Sequence, residues 1–383
     1  MPKIHPILKS ICERLLVNVR RRLPDQAAAT MTVPALVYRD AEQWQREIDS
    51  IFLRTPLLVA LSCDVRQPGD YFALQIAGRP ILIVRGDDGR VRVFLNVCRH
   101  RGARLTGKDC GNVRRFICPY HAWTYDRAGR LAGVSESESF GKQEIDGLIE
   151  LPSEERAGMV FACLSADAEL DLDAWLGDML PSLEALELDR LYAYHPTTSL
   201  SSPNWKIAVD GYLDGYHIGF LHKDSIGRKA ITNRNTYDLY GPHVRIGFAN
   251  RRIEEIQSLP EENWVLADYM SLVHFVFPNI SISGGQGDAL MLSRLFPGPT
   301  VDQSTTVQHQ YFREPVVGES VTMAEARRLN YEQVVRDEDY ATTFGISESL
   351  PAMDLSPVLF GRNEPANQNL HRHIASMTGS NLY

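Results

Sequence analysis

The sequence predicts an α+β fold: a β-rich first half, then a second half in which strands lead into a long helix around a pocket. Three observations carry this. Between 56 and 163, short apolar runs alternate with Gly and Pro turns, the texture of an all-β domain. Beyond Pro203 the texture changes: a helical stretch over 207–222 is followed by strand-like runs at 273–283, 289–296 and 305–313. Helical periodicity returns over 323–344, and strands followed by a long terminal helix make an α+β domain folded around a pocket. At 383 residues the chain suits two domains. The expected divisions are a helical N-terminal segment at 1–50, an all-β domain at 51–165 and an α+β domain at 166–383.

The elements follow in order. Leu8, Ile11, Leu15 and Val19 recur at helical spacing, and the charges among them spoil a secretory apolar core. This predicts an amphipathic helix packed on the body or on a neighbouring chain, with a break at Pro34. The runs 81–84 and 91–95 read as strands joined by the turn Arg85-Gly-Asp-Asp-Gly89. A further strand is expected over 113–117. Acidic, helical sequence over 170–191 reads as a connector. Pro297-Gly-Pro299 marks a turn between the later strands.

Composition excludes several classes. Net charge is −8, which argues against nucleic acid as the main partner, because neutralising phosphates needs a basic surface. No apolar run is long enough to span a bilayer. Of the six cysteines, Cys12, Cys63, Cys110 and Cys163 are scattered, which suits free thiols in a reducing cytoplasm. Gly284-Gly-Gln-Gly287 lacks the spacing and the following helix of a dinucleotide fingerprint, so it marks no nicotinamide site.

Two loops carry matched ligand pairs: Cys98-Arg-His100 and Cys118-Pro-Tyr-His121. Thiolate with imidazole suits zinc or iron. Zinc fingers group two cysteines and then two histidines. Here each loop holds one of each, so one iron of a two-iron, two-sulfur cluster can take both cysteines and the other both histidines. Gly102 and Pro119 suit tight loops whose amides face cluster sulfurs. A second motif is Asp210-Gly-Tyr-Leu-Asp-Gly-Tyr-His-Ile-Gly-Phe-Leu-His222. His217 and His222 are five apart, so they share an ion only across a widened turn. A 2-His-1-carboxylate site needs a third ligand. Arg336-Asp-Glu-Asp-Tyr340 offers three acids, of which Asp339 is taken, against the plain reading of a solvated helix face.

Cys98-Arg-His-Arg-Gly102 and Cys118-Pro-Tyr-His-Ala-Trp123 resemble the Rieske domain of the ring-hydroxylating oxygenases. Asn204-Trp-Lys206 with Asp214-Gly-Tyr216-His217 and His222 is similar to the catalytic motif of their α subunits. The resemblance covers nearly the whole chain. It implies a Rieske [2Fe-2S] domain and a helix-grip catalytic domain with mononuclear Fe(II) held by His217, His222 and Asp339. It implies dioxygen as co-substrate, and electrons from NAD(P)H through a ferredoxin or flavin reductase. It also gives Asp214 a role, bridging His217 to His100 or His121 of another subunit, which requires a homotrimer, with or without a β subunit. His371 and His373 lie in a segment like the family's C-terminus and are not taken as ligands. His195, His243, His274 and His309 are candidate pocket residues, as are Tyr212 and Phe220.

The expected reaction is mono- or cis-dihydroxylation of an aromatic or polycyclic molecule, with oxidative N- or O-demethylation as the alternative. Quaternary-ammonium demethylases of the family tend to carry Glu at the bridge and Cys before Tyr-His; Asp214 and Gly215 stand here. The competing classes are a Rieske electron carrier with an inert second domain, a zinc-stapled lipid-binding protein, and a zinc hydrolase, which gives no reason for the cluster loops.

Overall fold

The computed structural model describes residues 5–141, 146–353 and 356–383. The chain forms two compact units: residues 48–175 with 187–190, and residues 1–47, 176–186 and 191–383.

The smaller unit is mostly β, with short helical turns at Ile48–Phe52, Ser62–Asp64 and Ser137–Phe140. Its main sheet has five antiparallel strands in the order Glu150–Leu151, Val91–Leu95, Arg79–Arg85, Asp70–Ile76, Cys110–Asn112. The expected hairpin is present, with Ile81 opposite Leu95 and Arg85 opposite Val91. Leu57–Leu61 is buried along its whole length, so it reads as a continuous apolar run rather than an alternating one. Arg85 closes the buried end of its strand. Its guanidinium donates to Glu155 at 2.7 and 2.9 Å and to the Val65 carbonyl at 2.7 Å. The strand expected over 113–117 is confined to Phe116–Ile117, which pairs with Thr124–Tyr125 in a separate three-stranded hairpin sheet.

The larger unit is built on a seven-stranded antiparallel sheet. The order is Tyr192–Ser202, Ser304–Phe312, Ala289–Pro297, Ile280–Gly284, Met270–Val276, His243–Asn250, Ala230–Tyr240. The run expected as one strand over 273–283 is two, separated by Phe277, Pro278 and Asn279, because proline cannot continue a central ladder. The helix Pro6–Arg21 covers one face of the sheet. Ile11, Cys12, Leu15 and Leu16 pack on Ala249, Met270 and Leu272. Proline opens this helix, Arg20 and Arg21 sit in its last turn, where they suit the negative end of the dipole, and Arg22 closes it in the left-handed conformation. Gly247 allows the close approach, since a Cβ there would meet Thr236 Oγ1 at 2.4 Å and Ile11 Cγ2 at 3.0 Å. The N-terminal segment is not purely helical. Met31–Pro34 forms an antiparallel ladder with Pro357–Phe360.

Two helical elements face the other side of the sheet. The predicted helix over 207–222 is shorter, Trp205–Leu213, and Asn204 caps it by accepting from the Lys206 amide at 2.9 Å. It stops at Asp214, whose backbone is extended and whose side chain accepts from the Tyr216 amide at 2.5 Å. The long helix expected over 323–344 is present as Ser320–Val334, a π turn at Val335–Tyr340, and Ala341–Ser349, but it is not terminal, since the helix Pro365–Thr378 follows it. Strand alternation sends Phe248, Ser271, Val273, Ser281 and Ser283 towards these helices, where they line a cavity of about 690 Å³ with Ala208, Tyr212, Tyr331, Val335 and Tyr340.

Candidate metal centres

The two ligand loops of the smaller unit have the same construction. The Cys98 amide donates to the Ala103 carbonyl at 2.8 Å and the Gly102 amide to the Cys98 carbonyl at 2.9 Å. The Cys118 amide donates to the Trp123 carbonyl at 2.8 Å and the Ala122 amide to the Cys118 carbonyl at 3.0 Å. Each loop turns through a left-handed residue at the equivalent place: Gly102 at φ 76° and Ala122 at φ 57°. Glycine is the usual residue there, which is why the second loop's geometry was hidden by Ala122. Asn96 staples the first loop. Its side-chain oxygen accepts from the Leu105 and Thr106 amides at 3.1 and 3.2 Å, and its amide donates to the Thr106 carbonyl at 2.9 Å.

This brings the four predicted residues together as two cysteines and two histidines. Cys98 and Cys118 are buried free thiols. The His100 and His121 rings lie 4.6 Å apart, and His100 stacks on Trp123 at 5.0 Å. Burial, then His121 and Arg101, disfavours the charged form of His100. Nδ1 of both histidines is buried without a hydrogen-bond partner. Two orphaned ring nitrogens side by side are costly unless a ligand meets them, and a cluster iron fits that requirement. Tyr125, not singled out from the sequence, lies 3.4 Å from Cys98 Sγ and accepts from the Arg99 amide at 3.0 Å. A hydroxyl beside a ligand sulfur is a means of tuning potential.

The second centre lies in the larger unit at the wall of the cavity. One ligand atom from each of His217, His222 and Asp339 falls within 4.8 Å of the other two. His222 Nε2 is 3.1 Å from His217 Nε2 and 3.0 Å from Asp339 Oδ1, and His217 Nε2 is 3.5 Å from the same oxygen. The histidines therefore converge without sharing a helix. His217 opens a short 3₁₀ turn, His217–Gly219, and His222 follows it. The widened turn expected between them lies instead at Val335–Tyr340, where it presents Asp339.

Each histidine is held on its far edge by a carboxylate. Asp214 Oδ2 is 3.1 Å from His217 Nδ1. Asp214 reaches it from the residue that follows the helix end, where the backbone is already extended. Glu338 Oε2 is 2.6 Å from His222 Nδ1 and accepts from Ser225 Oγ at 2.7 Å. Nothing in the sequence gave Glu338 a role of its own beside Asp339. Burial pulls the His217 imidazolium down, but Asp214 and Asp339 outweigh it and take the group up to about 9 without an ion. Burial raises the Asp339 carboxyl, and the two histidines more than reverse it, leaving it lowered. Such a site trades protons for a cation. Two imidazoles and a carboxylate on one side of a cavity match the facial arrangement of non-heme iron.

Other expected pocket residues fall elsewhere. His195, His243, His274 and His309 do not line the cavity, and the last three are buried in the sheet. Tyr212 does line it, whereas Phe220 is 69% exposed and outside it. His371 binds Asp210 and Tyr38 rather than the metal site.

Comparison with known proteins agrees with this geometry. Residues 188–380 match the family model of the ring hydroxylating alpha subunit (catalytic domain), and residues 55–145 match the Rieske [2Fe-2S] domain. The chain belongs to the ring-hydroxylating oxygenase α-subunit family. It is 33% identical over 195 residues to the glycine betaine monooxygenase oxygenase subunit of Chromohalobacter salexigens, covering 50% of this chain and 43% of that one. It is 37% identical over 193 residues to benzene 1,2-dioxygenase subunit alpha of Pseudomonas putida, covering 48% and 42%. These matches span less than half the length of either relative. Among solved structures, the quaternary ammonium Rieske monooxygenase CntA with L-carnitine aligns at TM-score 0.76 and 20% identity, over 99% of this chain and 100% of that one. Naphthalene 1,2-dioxygenase with indole aligns at 0.71 and 20%, over 94% of each. At that identity the likeness is one of fold. Among the described residues, no helix is long and apolar enough to cross a membrane.

Proposed function

We propose that this chain is the terminal oxygenase component of a Rieske system and oxidises an aromatic or polycyclic molecule in the cavity beside His217, His222 and Asp339. The observation that carries the reading is the convergence of those three side chains on a cavity of about 690 Å³. In this reading Cys98, His100, Cys118 and His121 hold the [2Fe-2S] cluster, and the triad holds Fe(II). When bound, the cluster supplies single electrons and the ferrous ion supplies the site of dioxygen activation.

The chain's own residues do the rest. Asp214 and Glu338 accept from Nδ1 of the two histidines, which leaves both Nε2 lone pairs for the metal. Phe248, Val273, Val334, Val335 and Ile218 give the cavity apolar walls that exclude water and hold an apolar substrate. Tyr212, Ser283 and Asn250 add polar groups that orient it. Asp214 is the electron bridge to a cluster histidine of a neighbouring subunit, which makes the working form a homotrimer. Electrons reach the cluster from a ferredoxin or flavin reductase.

A second reading rests on a specific feature. Tyr212, Tyr331, Tyr340 and Phe248 all line the cavity, and aromatic faces attract quaternary ammonium groups. Relatives named for glycine betaine and a fold neighbour named for quaternary ammonium oxidation give the same direction, towards oxidative N-demethylation.

One experiment separates the readings. The reconstituted protein is supplied with a surrogate reductase and NADH, then offered aromatic acids, hydrocarbons, steroids and betaines under ¹⁸O₂. The first reading expects substrate-dependent oxygen uptake and ¹⁸O in a hydroxylated ring product. Formaldehyde release from a betaine, with no ring product, transfers the assignment to demethylation. No substrate-dependent uptake across the panel refutes both.

A further inference from the structure

We propose that Ser225 and Glu338 form a positioning pair that ties the turn at the cavity wall to the iron histidine His222, so that a molecule entering the cavity is felt at the metal. The inference rests on the oxygenase reading above and adds to it a route from cavity to metal.

The geometry is specific. A single oxygen, Glu338 Oε2, receives His222 Nδ1 at 2.6 Å and Ser225 Oγ at 2.7 Å. Accepting from Nδ1 fixes the tautomer with a bare Nε2, and that nitrogen faces Asp339 at 3.0 Å and His217 at 3.1 Å. His222 is therefore gripped on both ring edges by adjacent residues of one π turn. It is 1% exposed, so its ring has little room to swing on its own.

Ser225 belongs to a turn that lines the cavity along with Asp224, Ile226, Arg228 and Lys229. That turn is locked to His222 through the backbone as well. The Ser225 and Gly227 amides both donate to the His222 carbonyl at 3.0 Å. Gly227 permits this contact, because a Cβ there would lie 2.7 Å from the His222 carbonyl oxygen and 2.6 Å from that of Ile218. A displacement of the turn therefore carries Ser225 Oγ and the His222 backbone with it. On the His217 edge, Asp214 itself lines the cavity and receives the Tyr216 amide and His217 Nδ1. Among the described residues, a cavity-lining hydroxyl is bonded to the carboxylate behind an iron histidine on the His222 edge and not on the His217 edge.

The pair is a positioning device, so its test reads the metal rather than turnover. Metal-free protein is loaded with Co(II), whose d–d spectrum reports coordination, and titrated with naphthalene and with indole as cavity probes. The proposal expects either probe to change the wild-type Co(II) spectrum. Ser225→Ala should bind Co(II) within about threefold of wild type and bind the probe within about threefold, yet lose most of the spectral response. Ser225→Thr, which keeps the hydroxyl, should restore it. Glu338→Gln should weaken Co(II) binding about 10- to 100-fold, the usual range for a group behind a metal histidine.

Three results overturn the proposal. One is a probe response in Ser225→Ala equal to wild type. Another is wild-type Co(II) affinity in Glu338→Gln. The third is a wild-type spectrum that ignores both probes. Substrate oxidation by the iron-loaded enzyme alongside any of these removes the link and leaves the oxygenase reading standing.

Discussion

Replacing Lys206 by methionine should destabilise the larger unit by about 4 kcal/mol. Lys206 and Glu47 are both 0% exposed, and the ammonium donates to the two carboxylate oxygens at 2.7 and 2.6 Å. Glu47 also accepts from Trp205 Nε1 at 2.8 Å and Gln43 Nε2 at 2.9 Å. Methionine fills the volume of the lysine stem but leaves a carboxylate buried without a counter-ion. Breaking one side of a fully buried pair costs about 3–5 kcal/mol, far more than the roughly 0–1 kcal/mol of a surface pair. For a unit of this size that lowers the melting temperature by roughly 10 °C. The pair joins the N-terminal segment to the helix that ends at Asp214, so the loss reaches the metal site through its scaffold. Glu47→Gln in the same chain removes the orphan charge while keeping an acceptor for Trp205. The double variant should recover more than half of the loss. Urea unfolding followed by tryptophan fluorescence measures both. A single-variant loss under about 1 kcal/mol, or a double variant no better than the single, would show that the buried pair does not hold the unit together.

Further outcomes follow from the same geometry. Asp214→Ala should keep the cluster and, compared per bound iron, lower reductase-coupled turnover by a factor on the order of 100, measured as NADH-dependent product; undiminished turnover per iron excludes the bridge. Glu364 is pushed up to about 7 by burial first and by Asp214 and Asp210 next, against a stabilising Gly361 amide. Its folded value lies above the unfolded one of about 4.3, so the folded state holds the extra proton and stability falls as pH rises from about 4.5 to 7. Glu364→Gln should flatten that slope in urea midpoints taken from pH 5 to 8; an unchanged slope contradicts the assignment. Burial raises the thiols of Cys12 and Cys163 to about 11, whereas Cys110 is exposed. At pH 8 a thiol reagent should label Cys110 in the native protein and leave Cys12 and Cys163 untouched, as peptide mapping would show.

The chemistry-bearing residues were legible because their types and spacings leave few alternatives. Paired Cys and His on two short loops, and two histidines ahead of a late acid, point to metals before any fold is known. What surrounds them was less legible. Asp214 ends its helix by capping the Tyr216 amide, so helical periodicity alone carried the helix too far, to His222. The turn that does widen is at Val335–Tyr340, inside an unbroken helical pattern, and nothing in its composition announces it. Glu338 looked like one more solvated acid because its partners, His222 and Ser225, are more than a hundred residues away in sequence. Ala122 takes a left-handed conformation without glycine, and the Met31–Pro34 strand finds its partner at Pro357–Phe360, close to the other end of the chain. Pairings of that range leave no local signature.

The proposed oxygenase requires two separate iron centres in one chain, one on Cys98, His100, Cys118 and His121 and one on His217, His222 and Asp339. Metal and acid-labile sulfide analysis, with Mössbauer spectra, on anaerobically reconstituted wild type and His222→Ala tests it most directly. Wild type should hold about three irons and two sulfides per chain. His222→Ala should lose one ferrous ion with the cluster spectrum intact. Two irons per chain in wild type, or loss of the cluster signal on substituting His222, would contradict it.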